Sequence, residues 1–338
     1  MARERHGRVT KRKPPVEATL AALRTAREDP SSPASIAVLR DALAGASNIA
    51  AGKAAEIIGQ HEVTDLAPDL VAAFDRFLAA AEDDPACAAK TAVADALYRL
   101  NHEDPDVFLR GLRCVQLEPT YREKDTDPGF VDTAVDVRGH CAFGLARTGY
   151  RGTVLALTEL LADEEPPARI SAARALAYRA DAAALPLLRF KVLAGDAESA
   201  VLAECLLALL KIDARGSIDF VVERLAADGP MTEAAGVALG ESRLPEAFGP
   251  LRDWCHRVAG TREEGAALLA LSSLRSDEAF EELLGLVRDG SERSACRALE
   301  ALDAARGGGA LARRVQTAGA HREEPAVRKL LARVFPPA

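Results

Sequence analysis

Six cysteines and six histidines are the side chains of this 338-residue chain best suited to metal binding or redox chemistry. The cysteines stand at positions 87, 114, 141, 205, 255 and 296. No two of them are closer than 27 residues, so there is neither a Cys-x-x-Cys pair nor a compact disulfide framework. We therefore expect reduced cysteines, no cofactor and a cytoplasmic protein.

Two histidines precede a glutamate, in His61-Glu62 and His102-Glu103, and such pairs can bind metal ions. Each pair is followed by turn-forming residues, which places it at the end of a helical pattern. We interpret both pairs as polar turn residues. Asp125 and Asp127 faintly resemble the start of a calcium loop, but Phe130 stands where that loop needs glycine, so we predict no metal site.

The composition is typical of helices that pack closely through small side chains, with 69 alanines against four tyrosines and one tryptophan. The net charge of −8 is divided unevenly, because residues 1–15 carry +5 and the remaining chain carries −13. An acidic body argues against a broad nucleic-acid surface. Residues 1–14 are predicted to be a disordered basic tail.

No apolar run approaches the about 18 residues that a membrane helix needs, so we expect no membrane partner. Residues 1–15 also lack the apolar core of a secretory signal.

A short motif of small residues ending in a large apolar residue recurs along the chain. Its last residue stands at 58, 97, 145, 176, 209, 239, 271, 302 and 335, and every step after 145 measures 30 to 33 residues. Each unit contains two apolar patterns at helical spacing, separated by turn residues such as Pro166-Pro167. Because neither helix can bury its apolar stripe alone, neighbouring pairs must stack.

The second helix of a unit carries a recognisable motif. Residues 136–145 read Asp-Val-Arg-Gly-His-Cys-Ala-Phe-Gly-Leu, and residues 167–176 and 325–328 carry related sequences. These segments resemble the second-helix signature of HEAT repeats, particularly the bacterial kind found in phycobilisome lyases, and the resemblance covers roughly residues 33–335. It implies an all-α fold, a right-handed α-solenoid of about nine helix pairs whose second helices line a concave face. Cys141 and Cys205 then occupy a small-residue packing position.

We expect a single, monomeric solenoid domain over residues 15–338, without a sheet. A helix at about 15–28 should cap its N-terminal end. The helix pairs are predicted near residues 33–59, 65–100, 105–147, 150–178, 181–211, 214–241, 244–273, 276–303 and 307–335.

The most irregular step, 48 residues from 97 to 145, contains an insertion loop at 118–134 that is far longer than a usual helix connection. The loop is either a tolerated insertion or a binding loop. In the second case its scarce aromatic residues, Tyr121 and Phe130, are the best anchors for a partner, with Arg122 beside them.

Three residues of the second helices, Arg138, His140 and Arg169, complete the candidate partner-binding surface. Arg138 and Arg169 stand at equivalent positions, where HEAT-like repeats also use an arginine to hold neighbouring units together through an acidic partner.

The sequence thus predicts a non-enzymatic scaffold that binds a protein or peptide on its concave face, with no catalytic residues. One alternative is a HEAT-fold enzyme or lyase that acts on a macromolecular substrate. Another is nucleic-acid binding aided by the basic tail.

Overall fold

The computed structural model describes residues 16–120, 129–226, 229–305 and 308–336. Tyr121, Arg122, the Asp125-Asp127 motif and the basic tail lie outside these residues. The chain divides into two compact units, Met1–Ala156 and Leu157–Ala338, and the single domain over 15–338 stays a prediction. None of the helices described is long and apolar enough to cross a membrane.

The first unit consists of helix pairs and one β-ribbon. Its helices are α1 (Val16–Ala26), α2 (Pro33–Ala44), α3 (Asn48–Gln60), α4 (Ala67–Ala79), α5 (Ala88–Arg99), α6 (Pro105–Leu112) and α7 (Val135–Arg147), and its strands are β1 (Leu117–Thr120) and β2 (Gly129–Asp132). The boundary between the units falls within α8 (Thr153–Leu160).

Local sequence sets the beginning of several helices in this unit. The side chains of Ser32, Ser47 and Asp104 accept backbone N–H groups in the first turns of α2, α3 and α6. These caps satisfy N–H groups that have no partner inside the helix.

The helices of the first unit form two layers. The second helices α3, α5 and α7 pack side by side in one layer, and α2, α4 and α6 form the other, with α1 against α2 and α3. Gly59 allows α3 and α5 to approach closely, since a Cβ there would lie 2.9 Å from the Cα of Ala96. The large side chains of Phe74 and Phe108 are buried between the layers.

The second unit repeats this plan. After α8 it contains α9 (Pro166–Arg179), α10 (Leu185–Ala194), α11 (Ser199–Ile212), α12 (Ala214–Leu225), α13 (Pro230–Ser242), α14 (Phe248–Arg257), α15 (Glu264–Ser273), α16 (Asp277–Asp289), α17 (Glu292–Ala304), α18 (Gly308–Gly319) and α19 (Pro325–Val334). The odd-numbered helices from α9 to α19 contact each other in order, and α12, α14, α16 and α18 form the facing layer.

The predicted helix pairs and the capping helix are confirmed by these bounds. Cys141 and Cys205 are buried, as their small-residue position predicted.

The expectation that the chain has no sheet is wrong in one place. β1 and β2 pair antiparallel at the ends of the predicted insertion loop, with Leu117 opposite Asp132 and Thr120 opposite Gly129. The loop is too long to be a simple helix connection, and strand pairing gives its backbone groups the hydrogen bonds that they need.

Candidate functional site

A buried lysine anchors the β-ribbon to α5. Lys90 is completely buried, and its Nζ lies 3.3 Å from Asp84 Oδ2 and donates to Gln116 Oε1 at 2.7 Å. The Asp84 carboxylate also accepts the backbone N–H groups of Ala89 and Lys90. A buried charge is costly without such partners, so Lys90 keeps all of them in place. Its hydrogen bond holds Gln116, the residue just before β1, against the start of α5.

Glu118 of β1 faces the same network. Its Oε1 accepts hydrogen bonds from Gln116 Nε2 at 2.6 Å, from the Ala86 backbone N–H at 2.7 Å and from the Thr133 hydroxyl at 3.1 Å. The bond from Gln116 is the largest of several effects that lower the pKa of Glu118, so this residue is ionised at neutral pH. The Glu118 side of the ribbon is thereby tied to Ala86, just before α5.

The opposite side of the ribbon carries exposed apolar residues. Successive strand residues point to opposite sides, and residues paired across the ribbon share a side, so Leu117, Pro119 and Phe130 lie on one side together with Asp132. Asp132 is only partly exposed and bonds to Arg138, which leaves the three apolar residues outermost. We call these three residues the ribbon face. Leu117 is 62% exposed and Phe130 is 67% exposed. Apolar residues held outward on an anchored element make this face the candidate docking surface.

Arg138 does not reach the surface, and its prediction as a partner-binding residue is wrong. It is 2% exposed, and its Nη1 donates to Asp132 Oδ2 at 2.6 Å and to the Cys114 carbonyl at 2.7 Å. Burial opposes the charge of Asp132, but the N–H groups of Gln116 and Ala134 together with Arg138 hold the pKa of this carboxyl below its usual value. Arg138 therefore secures the end of β2 to α7.

Arg169 is also buried, and its prediction as a partner-binding residue is likewise wrong. Its Nε and Nη2 donate to both carboxylate oxygens of Asp196 at 2.8 and 2.7 Å, and its Nη1 donates to the carbonyls of Asp163 and Glu164. Because Asp196 lies in the turn before α11, Arg169 connects two neighbouring repeats. The resemblance to HEAT repeats implied this role as the alternative to partner binding: an arginine that holds neighbouring repeats together through an acidic residue.

His140 is the one second-helix candidate whose side chain remains partly exposed. It lies on α7, and its Nδ1 is 3.7 Å from Asp95 Oδ1 of α5. Asp95 also accepts a hydrogen bond from Arg99. His140 is therefore accessible to a partner. Its side chain points to a different side of α7 from the buried Arg138.

Exposed apolar residues on the second helices were missed by the sequence analysis. Val237 of α13 and Leu269 of α15 are 44% and 45% exposed, and each stands two residues before the last leucine of its repeat. Other repeats have a charged residue at this position, Arg174 or Glu300. An alignment of the repeats would therefore have shown Val237 and Leu269 as apolar residues at a position that is charged elsewhere. Tyr178 of α9 is exposed as well.

The two histidines considered as metal ligands, and the single tryptophan, contribute to the packing and ends of helices. His61 is the C-terminal cap of α3, and His102 follows α5, which confirms both as turn residues. Trp254 is buried against Gly236, where an added Cβ would overlap the indole ring. Among the residues that the structure describes, no group of three or more His, Cys, Asp or Glu side chains could hold a metal ion.

Antiparallel helix pairs stacked in two layers define the α-solenoid class. Residues 130–189, a segment that includes β2, α7, α8 and α9, match the family model of HEAT repeats. This segment of the chain is thus similar to HEAT repeats.

Two further comparisons concern whole chains. An engineered protein with a crystal structure from the Northeast Structural Genomics Consortium is similar over 94% of this chain and 93% of its own, at 16% identity and a TM-score of 0.32. The fold assignment rests on the helix pairs and not on this similarity. No curated protein matches the sequence significantly.

Proposed function

We propose that this protein is a non-enzymatic scaffold that binds a protein or peptide partner, with the ribbon face as its main anchor. The observation that carries the proposal is the exposure of Leu117 and Phe130 on a ribbon whose other side is tied down by Glu118. An apolar anchor that is already fixed loses little conformational entropy when it binds.

The partner chemistry follows from the shape of this surface. A two-stranded ribbon projects apolar side chains and also offers strand edges, which suits an extended segment or an apolar groove of another protein. Tyr121 and Arg122 belong to the proposal by their position in the sequence between the two strands, and His140 by its partial exposure on α7. The second-helix residues Val237 and Leu269 form a separate exposed apolar pair within the second unit.

Photo-crosslinking can test the site. A photoreactive amino acid is placed at position 130 of the full-length chain, which is then irradiated in an extract of the native host. Position 193 is the matched control, because Leu193 of α10 is 65% exposed but lies outside the ribbon. We expect a protein that crosslinks from position 130 and not from position 193.

The affinity of that protein is then measured with purified components. The double variant Leu117→Ser/Phe130→Ser should bind at least about tenfold more weakly, equivalent to about 1.4 kcal/mol. Leu193→Ser should bind like the unchanged protein, and circular dichroism should show the same helix content in all variants. Equal affinity of the ribbon variant and the unchanged protein would refute the site.

A further inference from the structure

A groove with a volume of about 300 Å³ lies between α1 and α3 in the first unit. Its floor is apolar and its rim is polar. The residues that line it, which we call the α1–α3 groove, are Leu20, Leu23, Arg24, Arg27, Ile49, Lys53, Glu56, Ile57 and Gln60. A groove of this size can take up a few side chains of a partner.

The groove exists because α3 is covered less completely than the second helices that follow it. α5 packs between two second helices, α3 and α7, whereas among the described helices α3 has a second helix only on its α5 side. On its other side α3 meets α1, which also packs against α2. Leu23 and Ile57 are buried, but Ile49 stays 55% exposed. The apolar surface at this end of the stack is thus only partly capped.

Ile49 is unusual for its position in the repeat. It stands nine residues before Ile58, the last residue of its unit. The same position holds alanine, aspartate, proline or arginine in the units that end at 97, 145, 176, 209, 239, 271, 302 and 335. Because those units stack without a large apolar side chain here, stacking does not explain an isoleucine in contact with solvent.

The rim of the groove is basic. Arg24, Arg27 and Lys53 line it together with a single acid, Glu56, which is already paired with Lys53 at 2.7 Å. Arg27 donates a hydrogen bond to the side-chain oxygen of Gln60, a neutral partner that does not compensate its charge. The groove thus has two more basic than acidic residues, in a chain whose net charge is −8. This charge argues against the chain's own basic tail as the occupant and favours an acidic partner.

We propose that the α1–α3 groove binds an acidic amphipathic helix of another protein. Apolar side chains on one face of that helix pack on Leu20 and Ile49, and carboxylates beside them pair with Arg24 and Arg27. An apolar helix face laid into a groove is a common mode of protein recognition. The groove shares no residue with the ribbon face, so its partner is independent of the one proposed for the ribbon.

Fluorescence polarisation with the full-length protein tests this site. The probe is a fluorescein-labelled helical peptide of about 15 residues, with leucines on one face and glutamates on both sides of them. We expect saturable one-to-one binding that weakens as the salt concentration rises. Ile49→Ser should weaken the affinity at least about fivefold, and the double variant Arg24→Glu/Arg27→Glu at least about tenfold.

Each variant has a matched control in the second unit. Leu193→Ser changes a similarly exposed apolar residue of α10, and Arg252→Glu/Arg288→Glu reverses two exposed arginines of α14 and α16. Both controls should bind the probe like the unchanged protein. Leu117→Ser/Phe130→Ser should do so too, which separates this test from that of the ribbon face. The basic tail is present in every variant, so its own attraction for the acidic probe does not affect the comparison.

A second probe, in which lysines replace the glutamates, should bind at least about tenfold more weakly. The proposal is overturned if the lysine probe binds as tightly, if the groove variants bind like their controls, or if no saturable binding appears up to about 1 mM. It is also overturned if the protein alone sediments as a dimer that Ile49→Ser dissociates, since a second copy then fills the groove. Circular dichroism should show the same helix content in all variants, because the side chains of Arg24, Arg27 and Ile49 are exposed.

Discussion

Replacing Arg169 with methionine tests whether buried ion pairs hold neighbouring repeats together. The substitution keeps much of the apolar volume but removes two hydrogen bonds to Asp196 and two to backbone carbonyls. Asp196 is left with the ammonium of Lys191 at 2.8 Å and the backbone N–H of Glu198. The variant therefore loses a buried ion pair, but the negative charge of Asp196 that is left behind still has two partners.

The magnitude follows from the pKa of Asp196, which burial opposes but which Arg169, Lys191 and Glu198 together lower from 3.8 to about 2. That shift is equivalent to about 2 kcal/mol of stability, of which we assign about half to Arg169 because Lys191 remains. The two carbonyl hydrogen bonds add about 1 kcal/mol each. We expect Arg169→Met to lower the free energy of unfolding by about 3 kcal/mol at neutral pH.

The pH dependence gives the prediction a second signature. An aspartate with a lowered pKa in the folded state stabilises the fold above the pKa of the unfolded chain, and this stabilisation is lost as the pH falls through the folded value. The stability difference between the unchanged protein and the variant should thus narrow by about 1 kcal/mol between about pH 4 and pH 2.

Urea denaturation followed by circular dichroism measures both quantities, and hydrogen exchange of α9 and α11 shows whether the loss is local. Arg174→Met is the matched control on the same helix, because Arg174 is 54% exposed and its pair with Glu204 should contribute at most about 0.5 kcal/mol. Equal losses in both variants, or a difference that does not change with pH, would refute the structural role of Arg169.

Three further outcomes are expected. Lys90→Met should lower the free energy of unfolding in urea denaturation by about 3–5 kcal/mol, because it leaves the buried Asp84 without its ion-pair partner. The control Lys53→Met replaces a side chain that is 55% exposed and should lower it by at most about 0.5 kcal/mol. Gly240→Ala should cost about 1–3 kcal/mol, because its Cβ would overlap the Ala270 carbonyl of the next second helix. Gly265→Ala, whose Cβ would make only an ordinary contact with the Arg297 side chain, should instead stabilise by about 0.5 kcal/mol. Deletion of residues 1–14 should shift the melting temperature by less than about 2 °C, since this segment has almost no apolar side chains to bury; a drop of many degrees would contradict that expectation.

The repeat period predicted the helix pairs closely, because the apolar spacing of each pair is a local property of the sequence. The β-ribbon could not be predicted in the same way, since its strands are four residues long and are stabilised by contacts with Ala86 and Lys90, which are distant in the sequence.

The candidate site was predicted less well than the fold. The arginine at the equivalent position of two second helices was assigned to partner binding, but its length lets it turn inward to Asp132 or Asp196. The repeat ending at 271 lacks this arginine and has Glu264 at the same position. Glu264 is buried and accepts a hydrogen bond from Arg297 at 2.6 Å. The ion pair survives there with its charges exchanged, and a search for arginine alone does not detect it.

The same ion-pair position explains how an insertion can carry an exposed apolar surface on an anchored ribbon. In the regular repeat, Arg169 donates hydrogen bonds to the aspartate of the next repeat. In the repeat with the insertion, Arg138 donates instead to Asp132 at the end of β2. Lys90 stands at the equivalent position of the preceding repeat and donates to Gln116, just before β1. Both ends of the ribbon are thus fastened by basic residues that the repeat already provides. Phe130 can therefore remain exposed in a fixed orientation, which is what an anchor for a partner requires.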